Sequence, residues 1–132
     1  GKVSKAEFTG IGSRAGSEKS FRIQVMCEHS AAVKVGFFGM ATAGDKDAIS
    51  LTPQSNAASG VGIALTYGPG LQVAEGQRVP LNVPTDQLPV LTTVSSPNQA
   101  KSMSFNAQYI QTDSQVMAGK ADGTVTFNLV YN

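Results

Sequence analysis

The chain has 132 residues, 41% of them hydrophobic, and ten basic against nine acidic side chains leave a net charge of +1. Such a length fits one domain with a real core, the hydrophobic content excludes a disordered chain, and the near-neutral charge excludes an electrostatic case for nucleic acid or an anionic membrane. No apolar run approaches the roughly 18 residues of a membrane span.

Low charge with 14 glycines and 6 prolines suits an all-β surface module. The first residue is Gly1 and no signal peptide pattern follows, so a processed or trimmed product is expected. GIGSRAGS at 10–17 reads as a turn. FRIQVMCE at 21–28 is the first clear strand, with Phe21, Ile23, Val25 and Cys27 on one face and Arg22, Gln24, Met26 and Glu28 on the other. AVKVGFF at 32–38 follows, with Val33, Val35 and Phe37 in phase. TAGDKD at 42–47 and SNAASG at 55–60 are turn signals. VGIALTY at 61–67 aligns Val61, Ile63, Leu65 and Tyr67. YGPG at 67–70 and EGQ at 75–77 are further turns. Weaker strands fit LQVA at 71–74, RVPLNV at 78–83 and LPVLTTV at 88–94, where Pro80 and Pro89 place them at edges or bulges. After the turn signal SSPNQ at 95–99, SMSFNAQYI at 102–110 aligns Met103, Phe105, Ala107 and Tyr109. AGKADG at 118–123 is a turn, and the last strand aligns Val125, Phe127, Leu129 and Tyr131. Seven or so strands of period two, wet on one face, predict a β-sandwich. No linker or repeat divides the chain, so a single domain over 1–132 is expected.

No catalytic constellation can be assembled, and no cofactor is implied. His29, the only histidine, follows a strand end and reads as a solvated loop residue. Asp45 and Asp47 lack the further ligands of a calcium site, so loop solvation is expected and no metal. GIGSRAG lacks the Gly-Lys-Ser/Thr ending of a phosphate loop. Tyr67, Tyr109 and Tyr131 fall in phase with core faces, which suits core or groove residues better than a sugar-stacking platform. Cys27, the only cysteine, reads either as a buried thiol or as half of a disulfide whose partner is absent.

ADGTVTFNLVYN at 121–132 resembles the C-terminal strand of chaperone–usher fimbrial subunits. That strand has alternating apolar positions, a penultimate tyrosine (Tyr131) and a glycine about a dozen residues from the end (Gly119). SFRIQVMC resembles the strand carrying the family's second cysteine, SGVGIALTYGPG its middle motif, MSFNAQYIQTD the strand before the last, and GKVS the stretch after its first cysteine. The motifs follow one another in the family's order along essentially the whole chain.

The resemblance implies an incomplete immunoglobulin-like sandwich, completed by a donor strand from another chain. Val125, Phe127, Leu129 and Tyr131 would line or flank the donor groove. The carboxylate of Asn132 would anchor to basic residues of the periplasmic chaperone. Cys27 would be half of a disulfide whose partner, with the rest of the N-terminal segment, lies upstream. The implied partners are that chaperone, the outer-membrane usher and neighbouring fimbrial subunits, with a host glycan if the chain is part of an adhesin. The implied location is the bacterial surface, reached through the periplasm. Four open side chains at roughly 1.5–3 kcal/mol each would leave a deficit of about 6–12 kcal/mol. The competing expectation is a secreted carbohydrate-binding sandwich that works as a closed monomer.

Overall fold

The computed structural model describes residues 2–95 and 100–132. The strands in chain order are β1 (Lys2–Val3), β2 (Arg14–Met26), β3 (Ala31–Phe38), β4 (Ala41–Thr42), β5 (Asp45–Ser50), β6 (Val61–Tyr67), β7 (Thr92–Val94), β8 (Ala100–Gln111), β9 (Gly119–Lys120) and β10 (Thr126–Tyr131). Two short 3-10 turns, Lys5–Glu7 and Thr85–Gln87, are the only helical elements among the described residues. One sheet has the order β2-β8-β6-β5-β4 and the other β10-β3-β7, while β1 and β9 form a small pair. Every ladder between these strands is antiparallel.

The two larger sheets pack face to face, and period-two alternation decides what lies between them. β2 contributes Ile23 and Val25, and Cys27 continues the same face. β3 contributes Val33, Val35 and Phe37, and β8 contributes Met103 and Phe105, all buried in one cluster. The Phe105 ring stacks on Phe21 with centroids 5.4 Å apart and meets Phe37 edge-on at 5.2 Å. β6, flanked by strands on both sides, is buried on both faces. Ala64 packs with Ala48 and Ile110 on the outer side, while Leu65 and Tyr67 face the core.

The five strongest expected strands are present, and several weaker readings need correction. Residues 71–74 form no strand, and 71–73 are bends. Residues 78–83 make only isolated bridges, at Arg78 and Leu81, since Pro80 between them has no N–H for a ladder. Of 88–94, only β7 is strand. TAGDKD turns at Ala43 and Gly44, and its last three residues already belong to β5. The turn expected at 10–17 ends at Ser13. β2 begins at Arg14 with a register shift against β8 between Ala15 and Lys19, and Gly16 sits there at φ 76°. A bulge absorbs the turn-forming residues and lets the strand resume. The expected turn at 95–99 falls, for residues 96–99, outside the described residues, as does Gly1 of GKVS.

Candidate functional site

The site is the unpaired edge of β10. Among the described residues this strand pairs only with β3, from Thr126↔Phe38 to Tyr131↔Val33. Just beyond it, the Asn132 N–H donates to the Ala32 carbonyl (2.9 Å) and the Ala32 N–H to the Asn132 carbonyl (2.8 Å). Antiparallel ladders alternate between residues that exchange both bonds and residues whose main chain points away. Val130, Asn128 and Thr126 therefore face β3. Phe127, Leu129 and Tyr131 aim their N–H and C=O groups at the side where no strand lies among the described residues.

The same alternation sets the side chains. Val125, just before β10, and Leu129 are half-buried against the core cluster. Phe127 and Tyr131 share their face yet remain 49% and 47% exposed. The Phe127 ring centroid lies 6.4 Å from that of buried Phe37. Across the core lies β2, the edge strand of the other sheet. Its Phe21 is partly buried and approaches Phe37 edge-on at 6.3 Å. Phe37 and Phe105, both fully buried, thus join Phe21 of one sheet to Phe127 of the other through ring contacts. At the Tyr131 end, Met26, Cys27, Glu28, His29, Ser30 and Ala31 surround a depression of about 350 Å3. Cys27 is a buried free thiol lining it, and His29 is exposed.

The opposite side of the sandwich is laced shut. Residues 78–82 pass from one sheet to the other. The Val79 N–H donates to the Leu65 carbonyl of β6, and the Asn82 N–H donates to the Phe37 carbonyl of β3, both at 2.8 Å. Asp45 and Asp47 hold this crossing instead of being solvated in a loop, which corrects the reading from sequence. Arg78 donates to Asp45 Oδ2 at 3.2 Å, and the Leu81 N–H donates to Asp47 Oδ1 at 3.1 Å. Asn82, at φ 59°, uses its side-chain amide as a surrogate strand. Its Oδ1 accepts from the Gly39 N–H (3.1 Å) and its Nδ2 donates to the Gly39 carbonyl (3.0 Å). Asn82 was missed from sequence. Its only signal there is an asparagine two residues after a proline, the kind of residue that tolerates a left-handed backbone.

Tyr67 is buried beside Phe105, and burial pushes its phenol above the ordinary range. The Tyr109 phenol is also raised, first by burial and then by the Asp122 charge, and it donates to the Ala121 carbonyl at 2.7 Å. Gly119 has no room for a side chain, because a Cβ there would lie 2.5 Å from the Asn56 carbonyl oxygen and 2.7 Å from the Ala58 nitrogen. Among the described residues no cluster of three or more His, Cys, Asp or Glu could hold a metal ion.

The fold is a two-sheet antiparallel sandwich in which β10 has one edge unpaired among the described residues. A family model described as fimbrial protein matches residues 1–132, and the chain belongs to that family, whose structural subunits form cell-surface pili and are exported through the periplasm. Solved structures agree in fold. The type I fimbrial antigen of Burkholderia pseudomallei superposes with TM-score 0.67 at 23% identity, over 98% of this chain and 81% of that one. The CupB6 tip adhesin of Pseudomonas aeruginosa gives 0.65 at 21% identity, over 96% of this chain but 33% of the adhesin. A chaperone–usher pilus structure gives 0.62 at 14% identity, over 100% of this chain and 86% of that one.

Proposed function

We propose that this pilus subunit is completed in trans. A donor strand pairs with the outward main chain of Phe127, Leu129 and Tyr131 and covers the exposed parts of Val125, Phe127, Leu129 and Tyr131. The periplasmic chaperone donates first, the extension of a neighbouring subunit replaces it, and the outer-membrane usher is where the exchange takes place. The carboxylate of Asn132 is the chaperone's anchor, and Cys27 pairs with a cysteine outside these residues, beside the depression it lines. The carrying observation is that one set of residues presents both unpaired main chain and half-exposed apolar side chains, the two things an added strand satisfies together.

The side-chain gain is smaller than the sequence suggests, because all four are already partly covered. Full burial of each is worth roughly 1.5–3 kcal/mol, so what remains is about 2–4 kcal/mol for the four. Main-chain bonds add roughly 1 kcal/mol each. The sum still rivals the net stability of a domain, about 5–15 kcal/mol. The test is thermal unfolding of the full subunit with a synthetic peptide of alternating apolar residues. A dose-dependent rise in melting temperature is expected by linkage. An already stable monomer that ignores the peptide would overturn the reading and favour the closed carbohydrate-binding sandwich.

A further inference from the structure

We propose that the apolar shelf around Met40, at the start of β10, seats the body of the neighbouring subunit that donates the strand. This rests on the donor-strand reading above and adds where the donor's own domain lands.

Direction comes first. Every ladder between the strands of this sandwich is antiparallel, and antiparallel pairing is slightly the more stable per residue. A strand added to the free edge of β10 in keeping with the rest runs antiparallel to it. Its N-terminal end then lies beside Tyr131 and its C-terminal end beside Thr126. Since the donor is an N-terminal extension, the neighbour's domain emerges from the Thr126 end.

That end carries an unexplained apolar surface. Met40, in the loop between β3 and β4, is 76% exposed. Its main chain is fixed, because its carbonyl accepts from the Ser50 N–H at 2.7 Å. With Ser50, Leu51, Thr52, Pro53 and Thr124 it surrounds a depression of about 290 Å3. Thr124 is two residues from the first paired residue of β10, so the shelf continues the open edge without a break. Gly39, beside Met40, would bring a Cβ to 3.2 Å from the Thr124 carbonyl oxygen, so this loop packs directly on the approach to β10. A flexible thioether on a fixed backbone suits an adaptable apolar contact. A parallel donor would instead place the neighbour at the opposite pole, beside Met26, which is 62% exposed.

The two poles can be told apart by photo-cross-linking. Met40→p-benzoylphenylalanine and, separately, Met26→p-benzoylphenylalanine would be placed in the full subunit. Each variant would be charged with one donating subunit whose own groove is already filled. Cross-links from position 40 to the donor's domain, with none from position 26, are expected. Met40→Glu should weaken this subunit pair about tenfold while leaving binding of an isolated donor peptide unchanged. Pairs that form but cross-link from position 26, from neither position, or from position 40 to chaperone alone would overturn the shelf and leave the donor reading standing. Equal loss of peptide and subunit binding in Met40→Glu would also overturn it. Failure of wild-type subunits to pair at all would instead overturn the donor reading itself.

Discussion

Truncating Phe127 separates a groove residue from an ordinary edge residue. Its side chain is 49% exposed, so a donor strand has about half of it left to bury. Full burial of a phenylalanine is worth about 3 kcal/mol at the upper end of the usual range, which puts the donor-dependent part near 1.5 kcal/mol. Phe127→Ala should therefore weaken donor-peptide binding about tenfold. Asn128→Ala changes a side chain on the opposite, exposed face and should cost well under a factor of three, roughly the limit for surface substitutions. The assay is denaturant unfolding at a fixed peptide concentration, one hundredfold above the wild-type Kd. Linkage then gives about 2.7 kcal/mol of stabilisation for wild type and about 1.4 kcal/mol for Phe127→Ala. Equal stabilisation of both, or an equal loss in Asn128→Ala, would refute the assignment of faces to β10.

Three further outcomes follow from the geometry. Phe127→Asp should abolish co-purification with the chaperone, since a carboxylate would be buried in an apolar groove; normal co-purification would count against the groove. Asn82→Ala should destabilise the subunit by about 2–3 kcal/mol in equilibrium unfolding, through two lost hydrogen bonds and a Cβ forced into the left-handed region. Asn82→Gly, which removes the strain but not the loss of bonds, should fall between it and wild type. The phenols of Tyr67 and Tyr109 are raised in the folded state. The stability they contribute is intact below the unfolded value near 10 and lost as pH rises through their folded values. A Tyr67→Phe variant should show a shallower alkaline loss of stability than wild type.

Much of the sandwich was legible because half-buried strands write their burial as alternation. Phe21, Ile23, Val25 and Cys27, or Met103 and Phe105, read directly as one face. Alternation also placed Val125, Phe127, Leu129 and Tyr131 on one side of the last strand. It could not show that Phe127 and Tyr131 stay more exposed than Val125 and Leu129, because that depends on how the two sheets pack. β5 was obscured by Asp45 and Asp47, residues whose composition signals a turn but whose carboxylates bind the crossing segment 78–82. That crossing has no periodic pattern, since it changes sheets within five residues and bonds through side chains at both ends. The first half of β2 was hidden by its bulge, where Gly16 signals a turn inside a strand.

Residue-resolved amide hydrogen exchange reads directly which main-chain groups of β10 are unpaired. Without a donor, the amides of Phe127, Leu129 and Tyr131 should exchange fast, while those of Asn128 and Val130, facing β3, are protected. Adding the donor peptide should slow the first three strongly and change the other two far less. Uniform protection along β10 without any donor, unchanged on adding peptide, would contradict an open edge.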